Sequence, residues 1–289
     1  MNTQPPRTAT RFTELVGCRY PLQLAAMSGG IGGPDLAAAV RDAGGLGMVP
    51  FGESAPSNCG VNFIAPFIDS LAVVAEVAAR SGLIEYFYAT PDQTLVACGH
   101  DAKAIVGWQV GSAEEAVAAE TVGCDFVIVQ GIEAGGHVRG HQRLDDLLAE
   151  ALARVSIPIV AAGGIATPER VAQLISLGAD AVRVGTQFLA CPEARTHPEY
   201  LANVLAATGD DTVVTEWFNE GWPNAPHRVL RNALAAAQRS GWRATKPPTR
   251  DDTHPAADMA QYAGAGVGAV TSIEPAETVV RHLVSQLAP

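Results

Sequence analysis

The sequence predicts an α/β protein, a (β/α)8 TIM barrel with a small, mainly helical cap inserted after the eighth strand. Three observations lead there. Eight short apolar runs alternate with helix-like runs, and strands that alternate with helices imply a parallel sheet. Eight units fill a closed barrel, whereas an open dinucleotide-binding sheet needs a GxGxxG turn after its first strand. Met27-Ser28-Gly29-Gly30-Ile31-Gly32-Gly33 is glycine-rich but lacks that spacing in register. The length of 289 residues suits one barrel with modest insertions.

The strand runs are 22–27, 46–49, 61–64, 84–89, 104–110, 126–130, 157–162 and 181–184. Gly33-Pro34 opens a helix over 35–42, with proline in the first turn, where its missing N–H costs nothing. Ser112 and Glu115 have the spacing of a capping box. Thr167-Pro168 opens a helix whose Val171, Leu174 and Ile175 recur at i, i+3 and i+4, and Leu177-Gly178 closes it. Residues 1–190 thus form the barrel. After Cys191 the alternation breaks, and Trp217, Trp222, Pro223, Pro226, Pro247 and Pro248 mark 191–261 as the cap, with both tryptophans expected to pack inside it. Residues 262–289 are expected to return to the barrel wall, because 274–287 is amphipathic through Val279, Val280, Leu283 and Leu287.

Composition narrows the function. Apolar residues make up 48% and charged residues 17%, the balance of a globular enzyme. A net charge of -11 without any Lys/Arg cluster argues against nucleic acid and against an anionic membrane surface. The five cysteines are scattered, with no CxxC pair, which argues against a zinc ribbon or a disulfide framework. No metal site is assigned. The polar start, Met1 to Thr13, has no apolar core of a signal peptide, and no 18-residue apolar run occurs, so a soluble, cytoplasmic protein is expected.

The strand ends carry the chemistry. The loop Gln130-Gly131-Ile132-Glu133-Ala134-Gly135-Gly136-His137 follows the buried run Phe126-Val127-Ile128-Val129 and places one imidazole beyond three glycines. In a parallel barrel it shares one face with Ala26, Met27 and Ser28, with Asn62, Gln109 and Gln130, with Gly163 and Gly164 after Ala162, and with Gly185 and Thr186. Amides offer paired donors and acceptors to a planar heterocycle, and glycines let backbone N–H groups approach phosphate. The last two glycine sites follow strands seven and eight, the usual barrel phosphate position, and helices starting after Thr167 and Thr186 would favour an anion there. A neutral imidazole near its ordinary pKa would be a competent base at neutral pH. Glu133 is read as a loop-bonding residue and Cys191 as structural.

Gln130 to His137, Ala162-Gly163-Gly164-Ile165, Leu177-Gly178-Ala179-Asp180 and Val184-Gly185-Thr186-Gln187-Phe188 together resemble the nitronate monooxygenase family, formerly called 2-nitropropane dioxygenases. The resemblance covers nearly the whole chain, and Tyr262-Ala263-Gly264-Ala265-Gly266-Val267-Gly268 adds to it. It implies a tightly bound FMN and no nicotinamide requirement. It also implies that His137 deprotonates a neutral nitroalkane or orients the anionic nitronate, which FMN and oxygen convert to a carbonyl compound and nitrite. By the same match Ala26, Met27 and Ser28 line the flavin ring, Gln130 and Gly135 contact FMN with Gly136 and Ala162 beside them, and Gly163, Gly164, Gly185 and Thr186 hold its phosphate. Asn62 and Gln109 are assigned from strand-end position as much as from the match. The partners expected are a nitronate or nitroalkane and O2, with a homodimer as the one protein assembly considered.

Departures from the family pattern leave two alternatives. Ala26-Met27-Ser28-Gly29 stands where the family has Pro-Met-Ala-Gly, His137-Val138-Arg139-Gly140 is one residue longer than His-Arg-Gly, and the stretch from Ile64 to Tyr88 is short. Flavin-dependent enoyl-acyl-carrier-protein reductases share the Glu-Ala-Gly-Gly-His loop, so an enoyl-thioester reductase using NAD(P)H is one alternative. A non-catalytic flavin-binding barrel is the other.

Overall fold

The structure, a computed structural model, describes residues 7–289; residues 1–6, at the start of the segment read as barrel, lie outside it. In chain order its helices and strands are α1 (Arg11–Val16), β1 (Leu22–Leu24), α2 (Pro34–Asp42), β2 (Met48–Pro50), β3 (Gly60–Ile64), α3 (Leu71–Ser81), β4 (Leu83–Phe87), α4 (Gln93–Asp101), β5 (Ile105–Val110), α5 (Ala113–Thr121), β6 (Phe126–Gln130), β7 (Gly136–His137), α6 (Leu144–Leu152), β8 (Ile159–Ala162), α7 (Pro168–Leu177), β9 (Ala181–Val184), α8 (Pro198–Ala206), β10 (Thr212–Thr215), β11 (His227–Leu230), α9 (Arg231–Ser240) and α10 (Ala276–Leu283). Eight parallel strands run in the order β1-β9-β8-β6-β5-β4-β3-β2. A parallel bridge between Gln23 and Leu46 joins the two ends of that sheet, with Leu24 N donating to Leu46 O at 2.9 Å and Leu46 N to Leu22 O at 2.8 Å. The barrel therefore closes, and all eight expected strand runs contribute to it.

Their limits differ in one useful way. The first run, expected over 22–27, is strand only to Leu24; Ala25 N still donates to Val184 O at 2.8 Å, and then the chain turns away. Gly29 and Gly30 take the left-handed conformation that the turn needs. Ala26, Met27 and Ser28 are consequently loop residues at the barrel mouth.

The opposite mouth is plugged. Thr10 caps α1, and Phe12 on that helix is fully buried, packing edge-on to Phe126 with ring centroids 5.4 Å apart. Burying such a ring stabilises by about 1.5–3 kcal/mol. Arg11 anchors the plug, donating from Nε to Asp180 Oδ1 at 2.9 Å and from Nη2 to Oδ2 at 2.6 Å. Among the described residues, the carboxyl ends of the strands form the mouth left open to a ligand.

The expected helix starts hold at Pro34 and Pro168. The capping box at Ser112 is only half formed. Ser112 Oγ accepts from Glu115 N, but the Glu115 carboxylate accepts from Gly111 N at 3.0 Å and from Arg139 instead of returning to the cap. An arginine competes more strongly for a carboxylate than a neutral backbone N–H does. Residues 191–261 carry α8 and α9, and also β10 and β11, which the sequence reading did not single out. The two strands pair antiparallel, and β11 pairs in turn with β7, aligning His227 with His137 and Arg228 with Gly136. In α10, Ala276, Val280 and Leu283 are buried where the helix meets α2 and α7.

Candidate functional site

A cavity of about 490 Å³ opens at the carboxyl ends of the strands. Ala26, Met27, Ser28, Asn62, Gln109, Gln130, Gly135, Gly136, His137, Ala162, Gly163, Gly164, Gly185 and Thr186 all line it. The fold thus gathers the candidate catalytic and cofactor-binding residues of the sequence around one space.

His137 sits on β7, held between the loop and β11. The amide of Gln130 clamps the loop by donating from Nε2 to His137 O at 2.9 Å and accepting at Oε1 from Arg139 N at 3.1 Å. Arg228 adds a second clamp, donating from Nη2 to Ile132 O at 2.9 Å. The imidazole stacks on Trp222 with centroids 3.9 Å apart and planes at 23°, and Tyr88 meets both rings edge-on. Tyr88 holds a left-handed φ of 72°, strain that sits beside the site. His137 Nε2 is enclosed without a hydrogen-bond partner.

Burial, with neighbouring His227 adding a smaller effect, pushes the His137 pKa down to about 3. A ring so lowered is neutral at neutral pH and is a weaker base than an imidazole near its ordinary pKa, because desolvation penalises the imidazolium and no carboxylate compensates it. His227, 5.2 Å away between ring centroids, is also lowered, chiefly by burial.

Gly140 fixes the far end of this loop. A Cβ there would lie 1.9 Å from Gly111 O, so two backbones touch where the longer His137-Val138-Arg139-Gly140 segment crosses the end of β5. Gly140→Ala is expected to cost about 1–3 kcal/mol as the loop lifts, read as a lower Tm; an unchanged Tm would show that the loop accommodates the methyl. Arg139 is turned away, bound to Glu115 at 3.0 Å through Nε and lying over the Tyr88 ring at 5.7 Å. It lies outside the cavity lining.

The helix expected after Thr186 is present as a short 3₁₀ helix, Thr186–Ala190. Neither Thr167 nor Pro168 lines the cavity. An anion near Gly163, Gly164, Gly185 and Thr186 would thus meet the loop that precedes α7 and the amino end of the 3₁₀ helix, whose N-cap is Gly185. Gly163 and Gly164 both have left-handed φ, and a Cβ on Gly164 would come 2.9 Å from Glu133 Cβ. Thr186 Oγ1 accepts from Gly264 N at 3.0 Å.

Trp222 was placed among the packing residues of the cap, yet it lines the cavity. Trp217 does pack there, donating from Nε1 to Trp242 O at 2.8 Å. Glu133 bonds within its surroundings as expected, accepting from Leu144 N at 3.0 Å. Cys191 is buried, its thiol pushed up to about 12 by burial, which suits a structural role. The sequence reading missed Arg183, Phe67, Lys246, Tyr262 and Gly264, all of which line the cavity. Tyr262 and Gly264 had a signal, since both lie in the glycine-rich motif near the end of the chain. Phe67, half exposed at the rim, meets Trp222 edge-on at 5.1 Å and gives the mouth an apolar wall.

Among the described residues no helix is long and apolar enough to cross a membrane. Comparison with known proteins places these features in a family. Residues 53–286 match the family model for nitronate monooxygenase. A curated relative from Rhodococcus jostii (strain RHA1), (3aS,4S,5R,7aS)-5-hydroxy-7a-methyl-1-oxo-octahydro-1H-indene-4-carboxyl-CoA dehydrogenase, is 34% identical over 241 residues, covering 78% of this chain and 66% of its own length. The chain thus spans about two thirds of that relative. Among solved structures, FabK from Thermotoga maritima superposes with a TM-score of 0.80 at 26% identity over 96% of both chains. Nitroalkane oxidase from Streptomyces ansochromogenes gives 0.78 at 27% over 96% of this chain and 98% of that one. The chain belongs to the nitronate monooxygenase family and is an oxidoreductase of the flavin-dependent type.

Proposed function

We propose that the chain is an FMN-dependent nitronate monooxygenase, converting alkyl nitronates and O2 to carbonyl compounds and nitrite, with His137 as the substrate anchor. The observation that carries this reading is the neutral, unpartnered imidazole of His137, stacked on Trp222 in the wall of a glycine-lined cavity. Two features of the cavity support FMN. Its floor carries the amide side chains of Asn62 and Gln109, and its glycines permit close backbone approach. Asn62, Gln109, Gly135 and Gly185 with Thr186 would hold the cofactor, and FMN, when bound, supplies the electron acceptor that the chain's own side chains lack.

The protein's part is binding and placement. A neutral imidazole can donate a hydrogen bond to a nitronate oxygen, and the incoming anion favours protonation of the ring it approaches. Trp222 and Tyr88 keep that ring in one plane, so the bound substrate is oriented and not merely captured. Phe67 and Trp222 at the rim favour an apolar alkyl group. A weakly basic His137 makes the anionic nitronate a better substrate than its neutral nitroalkane.

A second reading, flavin-dependent oxidation or reduction of a thioester with a nicotinamide partner, is supported by the likeness to the carboxyl-CoA dehydrogenase and to FabK. Anaerobic titration with a small alkyl nitronate separates the two. Bleaching of the visible flavin band without nicotinamide is the expected result. An unchanged band, with rapid bleaching by NADPH instead, would transfer the assignment to the thioester reaction. No response to either would favour a non-catalytic flavin-binding barrel.

A further inference from the structure

Beneath the cavity the barrel interior holds two charges. Glu85 on β4 and Arg183 on β9 form an ion pair, Arg183 Nη2 donating to Glu85 Oε2, and both side chains are buried. Gln23 on β1 clasps the pair, donating from Nε2 to Glu85 Oε2 at 2.9 Å and accepting at Oε1 from Arg183 Nε at 3.1 Å. Desolvating two charges is costly, and apolar side chains of similar volume fill such a space as stably or better. Stability alone is therefore a weak reason for the pair.

Its other connections reach the cavity floor. Asn62 Nδ2 donates to Glu85 Oε1 at 2.9 Å, and Gln109 Oε1 accepts from Arg183 Nη1 at 2.5 Å. A carboxylate only accepts and a guanidinium only donates, so these partners decide which way each amide points. Packing alone leaves that choice open, because the two ends of an amide have nearly the same shape. Asn62 Oδ1 and Gln109 Nε2 are left with no protein partner among the described residues. Asn62, Gln109 and Arg183 border the cavity, and Glu85 lies beneath them.

We propose that the Glu85–Arg183 pair is a positioning device. It locks Asn62 and Gln109 so that the cavity floor presents an acceptor from one and a donor from the other to the imide edge of a flavin. That edge reads carbonyl, N–H, carbonyl, and it requires an acceptor for N3–H beside a donor for a carbonyl oxygen. The proposal rests on the FMN reading above. Glu85→Gln puts an amide beneath Asn62 that donates as well as accepts, which frees Asn62 to turn over.

The test compares binding of FMN and of its N3-methyl derivative to flavin-free protein, followed by quenching of flavin fluorescence. The native chain is expected to prefer FMN by about tenfold or more, the value of one buried hydrogen bond to N3–H. In E85Q the preference should fall to about threefold or less, with binding of FMN itself also weakened. The double variant E85M/R183M leaves no unpaired buried charge, and it carries the same expectation if the single variant does not fold. A merely structural role would weaken both flavins alike and preserve the ratio. A preserved ratio in either variant, or a native chain indifferent to N3-methylation, overturns the proposal. Failure of the native chain to bind either flavin would instead remove the FMN reading.

Discussion

Replacing His137 with Asn or with Leu is expected to leave FMN bound and to lower kcat/KM for an alkyl nitronate in steps, about tenfold for Asn and about a hundredfold for Leu. The steps follow from what each side chain offers. Asn keeps a neutral donor of shorter reach but cannot take a proton as the anion arrives. Leu fills the space beside Trp222 and offers no donor at all. A hydrogen bond to a charged partner contributes about 1.5–3 kcal/mol, which sets the size of the larger loss. FMN should remain because the imidazole makes no hydrogen bond that shapes the rest of the cavity; the loop is clamped through its backbone by Gln130 and Arg228. Oxygen uptake with a pre-formed nitronate measures the effect, and flavin absorbance of the purified variants checks retention. Native-like kcat/KM in the Leu variant would remove His137 from substrate binding. Equal losses for Asn and Leu, confined to neutral nitroalkanes, would restore it as a base and overturn the anchor role.

That distinction turns on burial, which the sequence did not disclose. A strand-end glycine loop followed by histidine was readable in the order of residue types, because the apolar run 126–130 fixes a strand and the loop must then emerge at its carboxyl end. The surroundings of the ring were not. Trp222 comes from a segment with no periodicity, and it reaches His137 only because β11 pairs with β7. The β-branched run Thr212-Val213-Val214-Thr215 was a usable signal for β10 and for that pairing, but the neighbouring prolines and tryptophans suggested a helical cap.

The ion pair under the cavity had a signal too. Glu85 stands inside the apolar run Leu83-Ile84-Glu85-Tyr86-Phe87, and Arg183 stands inside Ala181-Val182-Arg183-Val184. Charges within strands buried on both faces demand partners. Two such charges of opposite sign at inward positions of different barrel strands can find each other across the interior. Pattern reading took both runs as strands and passed over the residue that breaks each one. The result is that Asn62 and Gln109 were found while the groups that orient them were not.

The pH dependence of stability gives the second large effect. His137 has an ordinary pKa of 6.5 and a folded value of about 3, so between those limits the unfolded chain binds a proton that the folded chain refuses. The unfolded state then holds more protons, and stability rises with pH across this window. The contribution is fully present above pH 6.5 and is lost as pH falls toward 3. From pH 7 to pH 5 His137 alone should cost roughly 2 kcal/mol. His227 acts in the same direction, since burial lowers it as well. Urea unfolding of the flavin-free protein at pH 7 and pH 5 measures the sum, and His137→Asn, which has no proton to gain, isolates the part due to His137. The variant should be less sensitive to acid than the native chain by about 2 kcal/mol over that interval. If native and variant lose stability equally, the imidazole is solvated in the flavin-free protein, and the neutral anchor that the nitronate preference depends on is lost with it. A ligand that is itself an anion reverses the bias by favouring the imidazolium, so the acid sensitivity should shrink when a non-reacting carboxylate of nitronate shape is bound.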